Sequence, residues 1–181
     1  VPWCPPGAVT LGSMPPLVLV RHAQAATPYP DHLRPLTDAG RDQAERLGRT
    51  LAREVGSFDV AVSSDATRAR QTFEAIAGHV GVGSAWTDRS IYDADEGDII
   101  TLARGLSGAS ALVVGHEPTV SLAAEILSRD EDRAGVARGV ATATAMVLTF
   151  DGPWDCLGPG SCSMRLFLTP PAGREGGPMR R

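Results

Sequence analysis

The chain has 181 residues, a hydrophobic fraction of 43% with only 5% aromatic, and a formal net charge of −4. That length holds one domain with a real core and leaves little room for two. The negative balance and the lack of any basic stripe exclude a general nucleic-acid binder, and the absence of Lys and Asn from the sequence excludes a P-loop lysine, a Schiff-base lysine and an Asn-x-Ser/Thr glycosylation site.

Leu17-Val18-Leu19-Val20 is a continuous aliphatic run, which predicts a strand covered on both faces because it lacks the alternation of a half-exposed sheet. Arg21 and His22 then emerge at its carboxyl end. A Pro-rich loop follows, with His32 read as hydrogen-bonding locally. Thr37 next opens a helix as N-cap, with Asp38 in its first turn and Ala44, Leu47, Leu51, Ala52 and Val55 on one face. Gly56 stops that helix, and Arg41, Arg46, Arg49 and Arg53 form its solvated face. "FDVAVSS" predicts a second buried strand, and a helix from about Ala66 to His79 follows it, with His79 complementing the helix dipole and Arg70 in solvent.

A Gly-rich connection leads to "SAWTDRSIYDADEGDII", a short strand or loop with clustered acids, and then to a helix carrying Ile99, Leu102, Ala103 and Leu106. "SALVVGHEP" repeats the opening arrangement, a buried strand ending in Gly-His, and a helix from about Thr119 to Leu127 comes next. "ATAMVLTF" and "SMRLFLTP" predict two last strands joined by a Gly/Pro/Trp turn. Alternating strands and helices define an α/β fold, a three-layer α/β/α sandwich with a mostly parallel central sheet.

The domain is expected over residues 14–170, with 1–13 as an upstream extension and 171–181 as a disordered tail. Cys4, Cys156 and Cys162 match no disulfide framework and no zinc-ligand spacing, so free thiols in a reducing, cytoplasmic compartment are expected. No secretion signal and no membrane-length apolar stretch is read in the sequence.

Three strand ends deliver ionisable groups: Arg21 and His22 after the first, Arg68 in "SSDATRARQT" after the second, and His116 in "VVGHEP" after a later one. In a parallel sheet these ends share one edge, where two guanidiniums and two imidazoles beside helix N-termini favour an anion such as phosphate.

In order and spacing, "LVLVRHAQA", "RPLTDAG", "SSDATRARQT" and "LVVGHEP" resemble the histidine phosphatase superfamily, and more narrowly its small SixA-like phosphohistidine phosphatases. The resemblance runs from about Leu17 to Pro170 and implies a phosphoglycerate mutase-like fold. It also implies His22 as the nucleophile that accepts the phosphoryl group, Arg21 and Arg68 as phosphate ligands, His116 as the second pocket histidine, and no metal or cofactor. Three positions depart from the commonest pattern: Ala23 stands for a glycine, Asp65 for a proline and Glu117 for an asparagine. An acid facing a phosphate pocket would weaken anion binding.

In much of the superfamily a carboxylate in the segment corresponding to "SIYDADEGD" acts as general acid. Asp93 is the first such candidate, ahead of Asp95, Glu96 and Asp98, although acidic loops and helix N-termini attract carboxylates without any catalytic role. A phosphoramidate needs less from such an acid, because its imidazole leaves neutral once protonated. Ile91 to Gly108 also leaves room for little more than one helix over the pocket. The expected activity is therefore a metal-independent phosphatase acting on phosphohistidine of a signalling protein, a histidine-phosphotransfer type of partner, with inorganic phosphate as product. The alternative is a small-molecule phosphomonoesterase. A non-catalytic phospho-binding module is disfavoured by the presence of His22 and both arginines.

Overall fold

A computed structural model of the chain describes residues 16–27 and 30–169. Six strands form one sheet: β1 (Pro16–Arg21), β2 (Ser57–Ser64), β3 (Gly81–Asp88), β4 (Ala111–Gly115), β5 (Ala145–Thr149) and β6 (Ser163–Phe167). Their order is β3-β2-β4-β1-β5-β6. The β1–β4, β2–β4 and β2–β3 pairs are parallel, and β5 runs antiparallel to both β1 and β6. The sheet is thus mixed, with a four-stranded parallel part that holds every strand end singled out above.

Alternation along β1 builds the layers. Val18 and Val20 pack with Ala44, Leu47 and Leu51 of α1 (Asp38–Glu54) and with Ala69 and Ile76 of α2 (Thr67–Ala77). Leu17 and Leu19 face the other way. They pack with Ile99 and Ala103 of α4 (Glu96–Arg104) and with Val120, Ala123 and Leu127 of α5 (Thr119–Leu127). Two cores, one on each face of the sheet, make the three-layer sandwich.

The helix starts follow their chemistry. Thr37 Oγ1 accepts from the Gly40 N–H at 3.0 Å, capping α1. Asp95 and Asp98 form a reciprocal capping box on α4.

The edge strand β3 differs from expectation. It runs for eight residues with an almost wholly exposed pattern, and Gly and Ser in place of alternating apolar residues conceal it in the sequence. Short helices α3 (Ser90–Asp93) and α6 (Asp130–Arg133) and two 3-10 turns (Asp31–Leu33 and Trp154–Cys156) complete the described elements.

The cysteine expectation is corrected at one position. Cys162 is a buried free thiol, but Cys156 is disulfide-bonded, so cysteine usage no longer argues for a reducing compartment. The proposed extension 1–13 and tail 171–181 lie outside the described residues. Among the described residues no helix is long and apolar enough to cross a membrane.

Candidate active site

Parallel pairing puts the ends of β1, β2 and β4 side by side. Arg21 is in register with Gly115, and Ser63 with Val114. The chain leaves β1 with the His22 N–H donating to the Gly115 carbonyl at 3.1 Å. His22, Arg68 and His116 are all buried, at 9%, 6% and 9% exposure, and the two imidazole centroids stand 5.3 Å apart. Arg68 comes from the first turn of α2, which follows β2 directly.

The hydrogen bonds of His22 fix its tautomer. Nδ1 lies 2.7 Å from the Ala23 carbonyl oxygen, which can only accept, so Nδ1 carries the proton. Nε2 then presents its lone pair and accepts from Arg68 Nε–H at 3.2 Å. Burial first, then the charges of Arg68 and Arg21, push the His22 pKa down to about 4. The ring is therefore neutral at physiological pH. Ala23 is itself anchored, its N–H donating to Thr72 Oγ1 at 2.9 Å, and the alanine at this position is fully buried.

His116 is held similarly. Its Nε2 is 2.8 Å from Ser64 Oγ, and Ser64 Oγ accepts from the Ala66 N–H at 3.3 Å. The serine oxygen keeps both a hydrogen to give and a lone pair to offer, so this contact suits either tautomer of His116. Its Nδ1 is buried with no partner among the described residues. Burial and the neighbouring His22 and Arg68 lower the His116 pKa to about 3. Arg21 donates through Nη1 to the Val140 carbonyl at 2.5 Å, while its Nε is also buried and unpartnered. Buried polar atoms without a partner are rare in folded proteins, and two of them lie on the residues that adjoin His22.

A second tier, unread in the sequence, surrounds this floor. Asp31 meets Arg68 twice, through its main-chain oxygen at 2.6 Å and its Oδ2 at 3.0 Å. Tyr92 donates its hydroxyl to the same Oδ2 at 2.6 Å, and Arg34 donates to Oδ1 at 3.0 Å. The Tyr92 ring packs edge-on to His116 and to His32. His32 is thus part of the pocket mouth and not merely a local loop contact. The hydrogen bond from Tyr92, with those from Arg34 and Arg68, holds the Asp31 carboxyl well below the usual carboxylate range despite opposing burial. Tyr92 is correspondingly pushed up and stays protonated.

The two unplaced acids also find partners. Asp65 Oδ2 lies 3.5 Å from both His32 Nε2 and Arg89 Nη1, so the Arg89 guanidinium meets its charge at the rim. Glu117 accepts from Ser121 Oγ at 2.7 Å, one turn into α5. Asp93 is exposed, while Tyr92 beside it packs on His116. Among the described residues no group of three or more His, Cys, Asp or Glu side chains could hold a metal ion. A separate cavity of about 490 Å³, lined by Pro16, Glu54, Asp59 and Arg165 among others, opens at the opposite edge of the sheet. It shares no residue with the histidine pocket.

A neutral histidine lone pair thus lies beside the buried Arg68 and the half-buried Arg21 at the carboxyl edge of a doubly covered sheet. Residues 17–104 match the model of the histidine phosphatase superfamily (branch 1), and the chain belongs to that superfamily, in its SixA-like part. An uncharacterized protein of Mycobacterium tuberculosis is 34% identical over 161 residues, covering 83% of this chain and 99% of its own. A structure from Nakamurella multipartitia, described as a candidate phosphohistidine phosphatase SixA, superposes with a TM-score of 0.77 at 29% identity, covering 90% of this chain and 99% of that one. The fold is shared more distantly with a phosphoglycerate mutase from Plasmodium falciparum, at a TM-score of 0.60, 17% identity and coverage of 94% and 100%.

Proposed function

We propose that the protein is a metal-independent phosphatase that takes a phosphoryl group onto Nε2 of His22 and passes it to water, with phosphohistidine on a signalling protein as substrate. Phosphoryl transfer through a loose transition state asks the protein mainly for positioning and for charge on the equatorial oxygens. Arg21 Nε, His116 Nδ1 and Arg68 are the groups we assign to those oxygens. In the first step the P–N bond of a phosphohistidine that carries a proton on its other ring nitrogen breaks, the electron pair returning to the freed nitrogen so that the imidazole leaves neutral, as a bond forms from phosphorus to His22 Nε2. In the second, water attacks phosphorus and the electron pair of the broken bond returns to Nε2.

The observation that carries the choice of substrate is the bonding of Asp31, the carboxylate at Arg68: its oxygens accept from Arg68, Arg34 and Tyr92, which sets it as an acceptor and not as the donor of a proton to a departing alkoxide. An imidazole leaving from a phosphoramidate makes a smaller demand. The Nakamurella relative described as a candidate phosphohistidine phosphatase supports the same choice. A cytoplasmic location is part of the proposal. The Cys156 disulfide is unusual for a reducing compartment, so the redox state of that residue in cells decides the point.

The test offers the purified protein a phosphohistidine-bearing protein domain and a panel of small phosphomonoesters side by side, with His22→Ala as control. Faster clearance of the phosphohistidine is expected. Preference for one small ester would overturn the substrate choice and point to Asp93 as the acid of a phosphomonoesterase.

A further inference from the structure

Asp31 has no part in the chemistry assigned above, yet it accepts two hydrogen bonds from Arg68 and one from Tyr92. A guanidinium carries five N–H donors in one plane. Three of those of Arg68 are engaged: Nη1 on the Asp31 main-chain oxygen, Nη2 on Asp31 Oδ2, and Nε on His22 Nε2. The two bonds to Asp31 grip the far end of the group. They leave Nε–H turned toward the reacting nitrogen and two Nη hydrogens free. Without that grip a long arginine side chain regains rotamer freedom.

Asp31 is itself fixed from outside by Arg34 and from the side by Tyr92. Its 3-10 turn, Asp31–Leu33, also carries His32 onto the Tyr92 ring. The loop after β1 is therefore tied to α2 and α3 through one carboxylate.

We propose that Asp31 is a positioning residue for phosphoryl transfer: it clamps the guanidinium of Arg68 by its outer edge, so that Nε–H faces the nitrogen at which the phosphorus–nitrogen bond forms, and it orients the Tyr92 hydroxyl beside that point. The proposal rests on the phosphatase reading of the site. The clamped Nε–H is donated to the His22 lone pair. An arriving phosphoryl oxygen takes over that donor, and Nε2 is released for attack.

A carboxylate beside an anion site also repels the anion, and the two effects separate experimentally. Asp31→Asn removes the repulsion and loosens the clamp, while Asn preserves the shape and the main-chain acceptor. Inorganic phosphate, a ground-state ligand, is then expected to bind as tightly as before or more tightly. Vanadate, which mimics the five-coordinate transition state, is expected to lose affinity about tenfold, equivalent to roughly 1.4 kcal/mol. With any substrate the wild type turns over, kcat is expected to fall by a similar factor while KM stays level or drops.

The first experiment measures phosphate and vanadate dissociation constants for wild type, Asp31→Asn and Tyr92→Phe, with a thermal melt of each as a check on folding. A vanadate-to-phosphate affinity ratio unchanged in Asp31→Asn would overturn the clamp and leave Asp31 as an opposing charge only. Should Asp31→Asn fail to fold, Tyr92→Phe removes one bond from the same carboxylate. It is expected to lower the ratio about threefold, and an unchanged ratio there overturns the proposal equally. The ratio needs no turnover, so a wild type inert toward every phosphorylated substrate would overturn the phosphatase reading without deciding the clamp.

Discussion

Arg68 Nε–H donates to His22 Nε2 across 3.2 Å, and His22 Nδ1 donates in turn to the Ala23 carbonyl at 2.7 Å. Both nitrogens of the ring are thereby assigned, one as donor and one as acceptor. This is the only protonation pattern that leaves a lone pair facing the pocket.

With its pKa pushed down to about 4, His22 should remain neutral through the physiological range. Nitrogen-15 spectra of the free protein are expected to show His22 with the proton on Nδ1 and no titration between about pH 5 and 8, where an ordinary histidine would change state. A His22 resonance that titrates near pH 6.5 would contradict the assignment.

The same shifts affect stability. His22 and His116 titrate at about 4 and about 3 in the folded chain, against 6.5 for an ordinary histidine. Between those values the unfolded chain binds protons that the folded chain does not. The contribution is whole above about pH 6.5, and it is lost as the pH falls through 4 and then 3. Urea unfolding is expected to show stability declining from about pH 6.5 toward 4.5, less steeply in His116→Gln. Equal slopes in the two proteins would remove His116 from the account.

Gly40 tests the loop that carries the pocket. Replacing a helical Gly by Ala ordinarily stabilises by up to about 1 kcal/mol. Here a Cβ would collide with the Gln24 carbonyl oxygen, two residues beyond His22, and overpacking costs about 1–3 kcal/mol. Gly40→Ala is therefore expected to lower stability, and to lower phosphate affinity with it as the loop shifts. A raised melting temperature would show that the loop yields freely.

Much of the sandwich was legible because its strands and helices carry strong periods. β1 and β4 are unbroken aliphatic runs, and α1 has a capped start and a clear apolar face. The edge strand β3 was not, since its exposed Gly, Ser and Thr positions carry no burial pattern. The meeting of Arg21, His22, Arg68 and His116 followed from parallel strand ends alone. Asp31, His32 and Tyr92 could not be read in the same way. They reach the pocket from an irregular loop and a single helical turn, by contacts between residues such as Asp31 and Tyr92 that leave no local signal. In the segment of Tyr92 the surrounding acids drew attention to Asp93 instead. The bonded state of Cys156 was hidden by an odd cysteine count.

Asp93 itself gives a sharp contrast between substrates. Exposed as it is, Asp93→Asn is expected to change phosphohistidine turnover by less than about twofold, well inside the roughly 10²-fold that loss of a general acid costs. A loss of that larger size, confined to esters with poor leaving groups, would restore it as the acid of a phosphomonoesterase.

The central claim is a covalent phosphoryl group on His22. Rapid quenching during turnover of a phosphohistidine-bearing domain, followed by peptide mass analysis, is expected to find one phosphoryl group on the peptide containing His22, and none in His22→Ala, which should fold normally but not turn over. Undiminished turnover in His22→Ala, or a phosphoryl group trapped on another residue, would contradict the account.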